Sequence, residues 1–294
     1  MIYYRSLNSY LRERFGEKLY KIALDGGFTC PNRDGTKGDR GCIFCLDGSS
    51  AFSVPCTDNV DLSVENAKML VSGKGARRYI AYFQSYSGTY ASADIIEKLY
   101  KNVAERDDIA AISIGTRPDC LGDDIMRVLE EINEIKPLFI ELGLQTIHEK
   151  TADYIRRGYP LAVYDEAVDK LTRAGIETVA HMIIGLPGED KKMMAETASY
   201  IADSGAKGIK YQLLHVLKGT DLEKEYSEGK VKVLSLDEYT DILGQCIASA
   251  GEEIVVHRLT GDGSKRDLIA PLWSADKKKV LNAIHREIRP LPES

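Results

Sequence analysis

Residues 25–45 read DGGFTCPNRDGTKGDRGCIFC, and this stretch decides how the rest of the chain is interpreted. It holds three of the six cysteines of the chain, Cys30, Cys42 and Cys45, in the spacing C-x11-C-x2-C. The apolar run at residues 19–24, just before it, has the length and composition of a β-strand. The sequence therefore predicts a strand that leads directly into a loop rich in cysteine and glycine.

Cysteines clustered in this way indicate a metal site rather than a disulfide framework. Thiolates are natural ligands of a [4Fe–4S] cluster, and three of them leave the fourth iron open, as a catalytic site requires. The residues alone leave two alternatives open. Cys56 could complete a structural zinc site as a fourth ligand, or the three cysteines could be unrelated core residues.

Around this loop, short apolar runs alternate with amphipathic stretches. Such alternation predicts an α/β fold with a parallel sheet, either open or curled into a full or partial barrel, and functional loops at the carboxyl ends of the strands. The predicted strands are residues 19–24, 79–83, 109–114, 138–142, 178–184 and 208–214. The predicted helices are residues 60–72, 92–103, 123–134, 163–174 and 191–203.

The composition, 44% apolar and 29% charged residues, is that of an ordinary globular protein with a formal net charge of −6. No apolar run approaches the ~20 residues that span a bilayer, and the amino-terminus lacks a secretory layout. We therefore expect a cytoplasmic protein without a membrane partner. Residues 254–294 carry eight Lys and Arg against five Asp and Glu, a net of +3, which indicates either a phosphate-rich partner or a solvated helix.

The cysteine loop, with the aromatic Phe44 just before Cys45, resembles that of the radical SAM superfamily, whose enzymes act on S-adenosylmethionine (SAM). The usual first gap in that superfamily is three residues, and the longer gap here is typical of the branch similar to the elongator catalytic subunit. The resemblance implies a partial (β/α)6 TIM-type barrel of parallel strands. It divides the chain into a core barrel over residues 1–250, including an N-terminal extension and the cluster loop, and a short, mildly basic C-terminal extension over residues 251–294.

Later segments resemble the superfamily's SAM-binding motifs in the expected order. In residues 82–89, Gln84 and Ser85 stand where relatives place a glycine-rich turn that holds the SAM amino group. Ser113 precedes a turn that resembles the third-strand motif and is expected to face the ligand. The resemblance implies that Gln145 contacts the SAM ribose and that Arg157 reaches the SAM carboxylate region.

The segment from His181 to Glu189 resembles the fifth-strand motif, in which relatives often carry Asp at the position of His181. Among known groups the chain is most similar to the bacterial YhcC/YtqA group. What that similarity implies is an enzyme that reductively cleaves SAM at a [4Fe–4S] cluster and modifies the wobble uridine side chain of tRNA, in a carboxymethylaminomethyl-to-aminomethyl type of step. It further implies an external one-electron donor such as flavodoxin or ferredoxin.

Each of these polar residues also has a purely structural interpretation. Gln145 could satisfy backbone groups at a strand end, Arg157 could be a solvated charge, and His181 could be a hydrogen-bonded core histidine. Two other functions therefore stay open. One is a radical SAM enzyme that acts on a small metabolite or a protein, which the acidic net charge favours. The other is a zinc-stabilised α/β binding protein without enzymatic activity.

Overall fold

The computed structural model describes residues 1–46, 53–56, 59–261 and 263–292. Its strands are β1 (Ile2–Ser6), β2 (Tyr20–Asp25), β3 (Val54–Pro55), β4 (Tyr79–Phe83), β5 (Ile109–Thr116), β6 (Leu138–Gln145), β7 (Glu177–Ile184), β8 (Gly208–Leu213), β9 (Val216–Leu217), β10 (Val255–Arg258), β11 (Leu268–Ala270) and β12 (Ile288–Pro290). The six predicted strands are all present, as β2 and β4 to β8.

The helices are α1 (Leu7–Phe15), α2 (Val60–Met69), α3 (Ala93–Ala104), α4 (Asp123–Ile135), α5 (Glu149–Tyr154), α6 (Leu161–Arg173), α7 (Lys191–Asp203), α8 (Asp221–Ser227), α9 (Leu236–Ala250) and α10 (Lys277–Ile284). The five predicted helices correspond to α2, α3, α4, α6 and α7. Among the described residues, no helix combines the length and the apolar character needed to cross a membrane.

Ten strands form one parallel sheet in the order β12-β1-β10-β8-β7-β6-β5-β4-β2-β3, while β9 and β11 form a separate antiparallel pair. Strands β4 and β5 are buried along their whole length, as expected for parallel strands covered on both faces. The fold is the predicted α/β arrangement, a partial barrel of parallel strands surrounded by helices. Within the predicted C-terminal segment, β10 pairs directly with β8 and so joins the same sheet.

The sheet curls strongly, because side chains from distant strands meet inside it. Tyr82 of β4 and Lys210 of β8 are separated in the sheet by β5, β6 and β7. Nevertheless the Lys210 Nζ atom donates a hydrogen bond to the Tyr82 hydroxyl at 2.9 Å. This contact runs across the interior of a barrel and could not form on a flat sheet.

An apolar layer closes the amino-terminal end of this barrel. Leu11 of α1 packs in one cluster with residues at the starts of several strands, among them Leu19, Ile80, Phe139 and Val179. The Tyr10 hydroxyl also hydrogen-bonds the Glu177 carboxylate at 2.7 Å, which fixes α1 against the first residue of β7. The interior is therefore sealed at one end, and its polar residues lie nearer the carboxyl ends of the strands.

Candidate active site

The cysteine loop crosses the carboxyl end of the barrel and is anchored by backbone hydrogen bonds. The amide of Ile43 donates to the carbonyl of Ile155, and the carbonyl of Ile43 accepts from the amide of Leu222. The Asn32 side chain donates to the carbonyl of Arg156 at 2.7 Å and lies 3.6 Å from the Cys42 Sγ atom. These contacts fix Cys42 at the mouth of the barrel.

Gly41 allows the chain to turn tightly just before Cys42. Its φ of +70° lies in the left-handed region that favours glycine. A Cβ atom at this position would come within 2.8 Å of the Arg33 guanidinium, which donates to the carbonyl of Cys45 at 2.7 Å. The glycine therefore leaves room for the Arg33 guanidinium, which anchors the end of the turn at Cys45.

Cys30, Cys42 and Cys45 line one cavity of about 220 Å³ at the mouth of the barrel. Burial and the neighbouring Cys45 together raise the pKa of the Cys42 thiol to about 11, against the opposing effect of Arg117. Three thiols at one cavity, beside open space lined by polar groups, are the donor set that a [4Fe–4S] cluster with one free iron requires. Among the described residues, no three His, Cys, Asp or Glu side chains form a site for a single metal ion.

The other cysteines lie outside this cavity. Cys56 packs against the main hydrophobic core, its amide donates to the carbonyl of Asp25, and burial raises the pKa of its thiol to about 11. The placement of Cys56 does not support the zinc alternative, in which it would join the other three as a ligand. Cys120 and Cys246 are buried.

Four of the six predicted SAM-binding residues line the same cavity as the thiols, namely Gln84, Gln145, His181 and Arg157. Ser85 and Ser113 are buried and are not part of its wall. The Ser113 hydroxyl instead donates to the Glu141 carboxylate at 2.6 Å, one layer deeper in the barrel. The structure therefore brings the first four residues together and sets the two serines behind them.

Arg157 reaches the cavity wall, but its guanidinium is held by protein groups. It donates to the carbonyls of Tyr159 and Thr146 and forms an ion pair with Glu149 at 2.9 Å. With its side chain only 2% exposed, Arg157 fixes the turn after β6. Each of its three guanidinium nitrogens donates to a protein acceptor, so Arg157 supports the shape of the wall.

Gln145 shows the clearest sign of a missing ligand. Its φ of +69° is left-handed, which is uncommon for a residue other than glycine and is typical of functional sites. Its buried Oε1 atom has no hydrogen-bond partner among the described residues. Because a buried acceptor without a partner is unfavourable, this atom fits a hydroxyl or amine donor from a molecule in the cavity.

The floor of the cavity is a charged cluster, of which the sequence motifs predicted only Ser113 and His181 as site residues. Glu141 and His181 line the cavity, and Glu141 accepts hydrogen bonds from four side chains. Ser113 and Lys21 donate to its Oε1 atom, at 2.6 and 2.7 Å, while His181 (2.8 Å) and Lys210 contact its Oε2 atom. Lys21, Glu141 and Lys210 each stand between two apolar neighbours in a strand, so a charged residue inside an apolar run was the available signal.

Electrostatics fixes the protonation of this cluster. Burial alone would raise the pKa of Glu141, but Lys21, Lys210 and His181 together hold it well below its usual range. Burial lowers the pKa of His181, against the opposing effect of Glu141. Since an ionised carboxylate only accepts, the Nε2 atom of His181 carries the proton, and Nδ1 accepts from Gln212 at 3.3 Å.

Comparison with known proteins gives a consistent family. The model of the radical SAM superfamily matches residues 34–201, and that of the Radical_SAM C-terminal domain matches residues 206–290. YtqA of Bacillus subtilis is 45% identical over 97% of this chain and 89% of its own length. YhcC of Escherichia coli is 34% identical over 91% of this chain and 86% of its own length.

More distant relatives extend the comparison. A tRNA uridine(34) acetyltransferase of Methanocaldococcus jannaschii is 29% identical over 45% of this chain and 25% of its own length. Among solved structures, the archaeal Elp3 of Methanocaldococcus infernus superposes with a TM-score of 0.65 at 15% identity, over 91% of this chain and 63% of that one. At that identity the superposition shows a shared fold.

Proposed function

The chain belongs to the radical SAM superfamily, and from that premise we propose that it modifies the wobble uridine side chain of tRNA. It is an enzyme of the branch that includes the elongator-like proteins, and its cofactors are a [4Fe–4S] cluster and SAM. Cys30, Cys42 and Cys45 would hold that cluster, and with SAM bound it would supply radical chemistry for abstraction of a hydrogen atom from the substrate.

We assign the cluster to Cys30, Cys42 and Cys45. Their common position on one cavity carries this assignment, together with the separate placement of Cys56. The Asn32 amide group, 3.6 Å from the Cys42 sulfur, would stabilise the thiolate form that binds iron. Low-potential clusters depend on such hydrogen bonds to sulfur and on exclusion of solvent, and the half-buried loop provides both.

For SAM, the proposed contacts are the polar groups that share this cavity. The free Oε1 atom of Gln145 would accept from the ligand, and Gln84 and His181 would contact it from neighbouring strands. Ser85, Ser113 and Arg157 would act indirectly, because they hold the backbone and side chains that form the wall. The closed amino-terminal end of the barrel keeps water from the reaction on that side.

The tRNA substrate is supported by the relatives rather than by the site alone. The tRNA uridine(34) acetyltransferase shares 29% identity with nearly half of this chain, and Elongator complex protein 3 of Drosophila melanogaster is 25% identical over 63% of it. We propose the carboxymethylaminomethyl-to-aminomethyl type of step, in the cytoplasm, with an external one-electron donor such as flavodoxin or ferredoxin.

The test is anaerobic reconstitution with iron and sulfide, followed by incubation with SAM, dithionite and tRNA that carries the carboxymethylaminomethyl uridine. We expect 5′-deoxyadenosine and loss of that nucleoside in mass spectrometry, with Cys42→Ala as the inactive control. Cleavage of SAM without any change in the nucleoside would reject the tRNA substrate and favour a small metabolite or a protein. Bound zinc without SAM cleavage would reject the whole assignment.

A further inference from the structure

A β-bulge in β10 turns an arginine into the barrel. Val256 pairs with Ile209 of β8, but Arg258 pairs with Lys210, so two residues of β10 span one step of β8. Such a bulge re-aims side chains, and bulges of this kind are frequent next to active sites. Because Lys210 points into the interior, its partner Arg258 is brought to the same side of the sheet.

The interior that Arg258 joins already holds two lysines around one carboxylate, Glu141, among the described residues. Lys21 and Lys210 both contact Glu141, and both ammonium groups lie over the Tyr82 ring, at 4.3 and 4.4 Å from its centroid. The Lys210 side chain is 3% exposed, whereas that of Lys21 is 24% exposed. Lys21 is therefore the member of this pair that a molecule from outside can reach.

Arg258 is a half-buried cation that pairs with no acid in the part of the chain that the structure describes. It forms no hydrogen bond or ion pair with any of the residues that the structure describes, although its charge acts on Tyr82, Lys210 and His181. Buried or half-buried arginines are normally paired, because a guanidinium out of water needs an acceptor for its fixed set of donors. Tyr82 links the two cations, since the Lys21 ammonium lies over its ring and the charge of Arg258 acts on its hydroxyl. An arginine without an acceptor among the described residues, in the same interior as a partly exposed lysine, can compensate one further negative charge.

We propose that Arg258 and Lys21 form an anion subsite that binds a carboxylate on the substrate. This inference rests on the proposed function, since the carboxymethylaminomethyl side chain ends in a carboxylate. Lys21 contacts Glu141, and the charge of Arg258 acts on His181. Because Glu141 and His181 both line the cavity, the subsite would lie behind that part of its wall. A guanidinium binds a carboxylate through two parallel hydrogen bonds, which would orient the side chain as well as attract it.

The same charges would discriminate substrate from product. The carboxymethylaminomethyl group carries one negative and one positive charge, whereas the aminomethyl product retains only the positive amine. With its carboxylate removed, the product amine faces Arg258 and Lys21 without a compensating anion. Like charges in a poorly hydrated site repel strongly, so the product is expected to bind more weakly than the substrate.

The test variant is Arg258→Gln, with Arg258→Lys as the conservative change. Because Arg258 forms no ion pair with an acid among the described residues, its replacement leaves no carboxylate there without a partner. The iron content and thermal unfolding of the variant should therefore match those of the wild type. Arg266→Gln is the matched control, since that side chain is 94% exposed in the same segment. We expect kcat/KM for the carboxylated tRNA to fall at least about tenfold in Arg258→Gln, mainly through KM, and less in Arg258→Lys.

Three results would decide the matter. A loss confined to the tRNA substrate, with the Kd for SAM unchanged, supports the subsite. A parallel loss of SAM affinity would show that Arg258 serves the SAM carboxylate instead, and unchanged kinetics would remove any role, so either result overturns the proposal. If the wild type does not modify the tRNA at all, the proposed function fails separately. Calorimetry with N-methylglycine, which reproduces the carboxymethylamino group, then tests whether Arg258 binds a carboxylate.

Discussion

Replacing Glu141 with Gln should destabilise the folded protein severely while leaving its shape unchanged. The Glu141 side chain is fully buried and accepts from four donors, two on each carboxylate oxygen. Glutamine has one acceptor oxygen, and its NH₂ group would face two donors on the other side. The substitution therefore removes the negative charge and also places the amide NH₂ group against two hydrogen-bond donors.

The size of this destabilisation follows from the charge that stays buried after the substitution. Removal of one partner from a buried ion pair costs about 3–5 kcal/mol, because the remaining charge has lost its compensation. Here Lys210, 3% exposed, would be that charge, while Lys21 can turn towards solvent. Since globular proteins have a free energy of unfolding of about 5–15 kcal/mol, the variant should still fold but unfold at much lower urea concentration.

Urea unfolding followed by circular dichroism, on preparations with equal iron content, measures this difference. Glu166→Gln is the control, because Glu166 is 65% exposed in an ion pair with Lys170 on the surface of α6, and we expect a change below about 1 kcal/mol. In the double variant Glu141→Gln/Lys210→Met the stranded cation is gone, and part of the loss should be recovered. A loss below about 1 kcal/mol in Glu141→Gln would refute the idea that this carboxylate holds the cluster together.

Two further predictions concern the thiols and the buried histidines. Cys42→Ala should abolish the visible absorbance of the cluster, whereas Cys246→Ala, a change in the core, should leave that absorbance intact. Loss of the absorbance in both variants would show that the ligands are misassigned. Burial lowers the pKa of His181, and that of His257 well below its ordinary value of 6.5, so the unfolded chain binds more protons than the folded one as pH falls below 6.5. Stability should therefore be lost below pH 6.5, by up to about 1.4 kcal/mol per pH unit for each histidine. Urea unfolding between pH 7.5 and 5.5 measures how steeply the free energy of unfolding changes with pH. We expect a weaker pH dependence than in the wild type for His257→Gln and the wild-type dependence for His285→Gln, since His285 is exposed. The same pH dependence in the wild type and both variants would contradict the neutral state of His257 in the folded protein.

The central strands could be predicted from the sequence because burial on both faces leaves an unmistakable pattern. Residues 109–116 contain one uninterrupted run of buried positions, and such runs are short, apolar and bounded by polar turns. The outer strands were not predicted. Strand β1, Ile-Tyr-Tyr-Arg-Ser, has one buried residue, and β12 spans three residues, so neither has enough apolar periodicity to be distinguished from a loop.

The candidate site divides in the same way. The thiols and Gln145 belong to contiguous motifs, so the sequence was sufficient to name them. The floor of the cavity depends on residues from β2, β6 and β8 that meet only because the sheet curls, and no local pattern states how strongly a sheet curls. Arg258 is a sharper case, because its direction depends on a bulge in β10 that changes which residues oppose each other.

Stability alone does not explain why the interior of this barrel is charged. A buried ion pair is often no more stable than well-packed apolar residues of the same volume, and the layer just below, with Leu19, Ile80 and Phe139, is apolar. The change from an apolar to a charged layer occurs where the side chains begin to reach the cavity that holds the thiols, as Glu141 and His181 do. Since fixed charges in a site with little water act strongly on any group that enters, the charged layer is best understood as part of the binding site. Variants of the charged layer should therefore alter substrate binding even when stability is restored, as in Glu141→Gln/Lys210→Met.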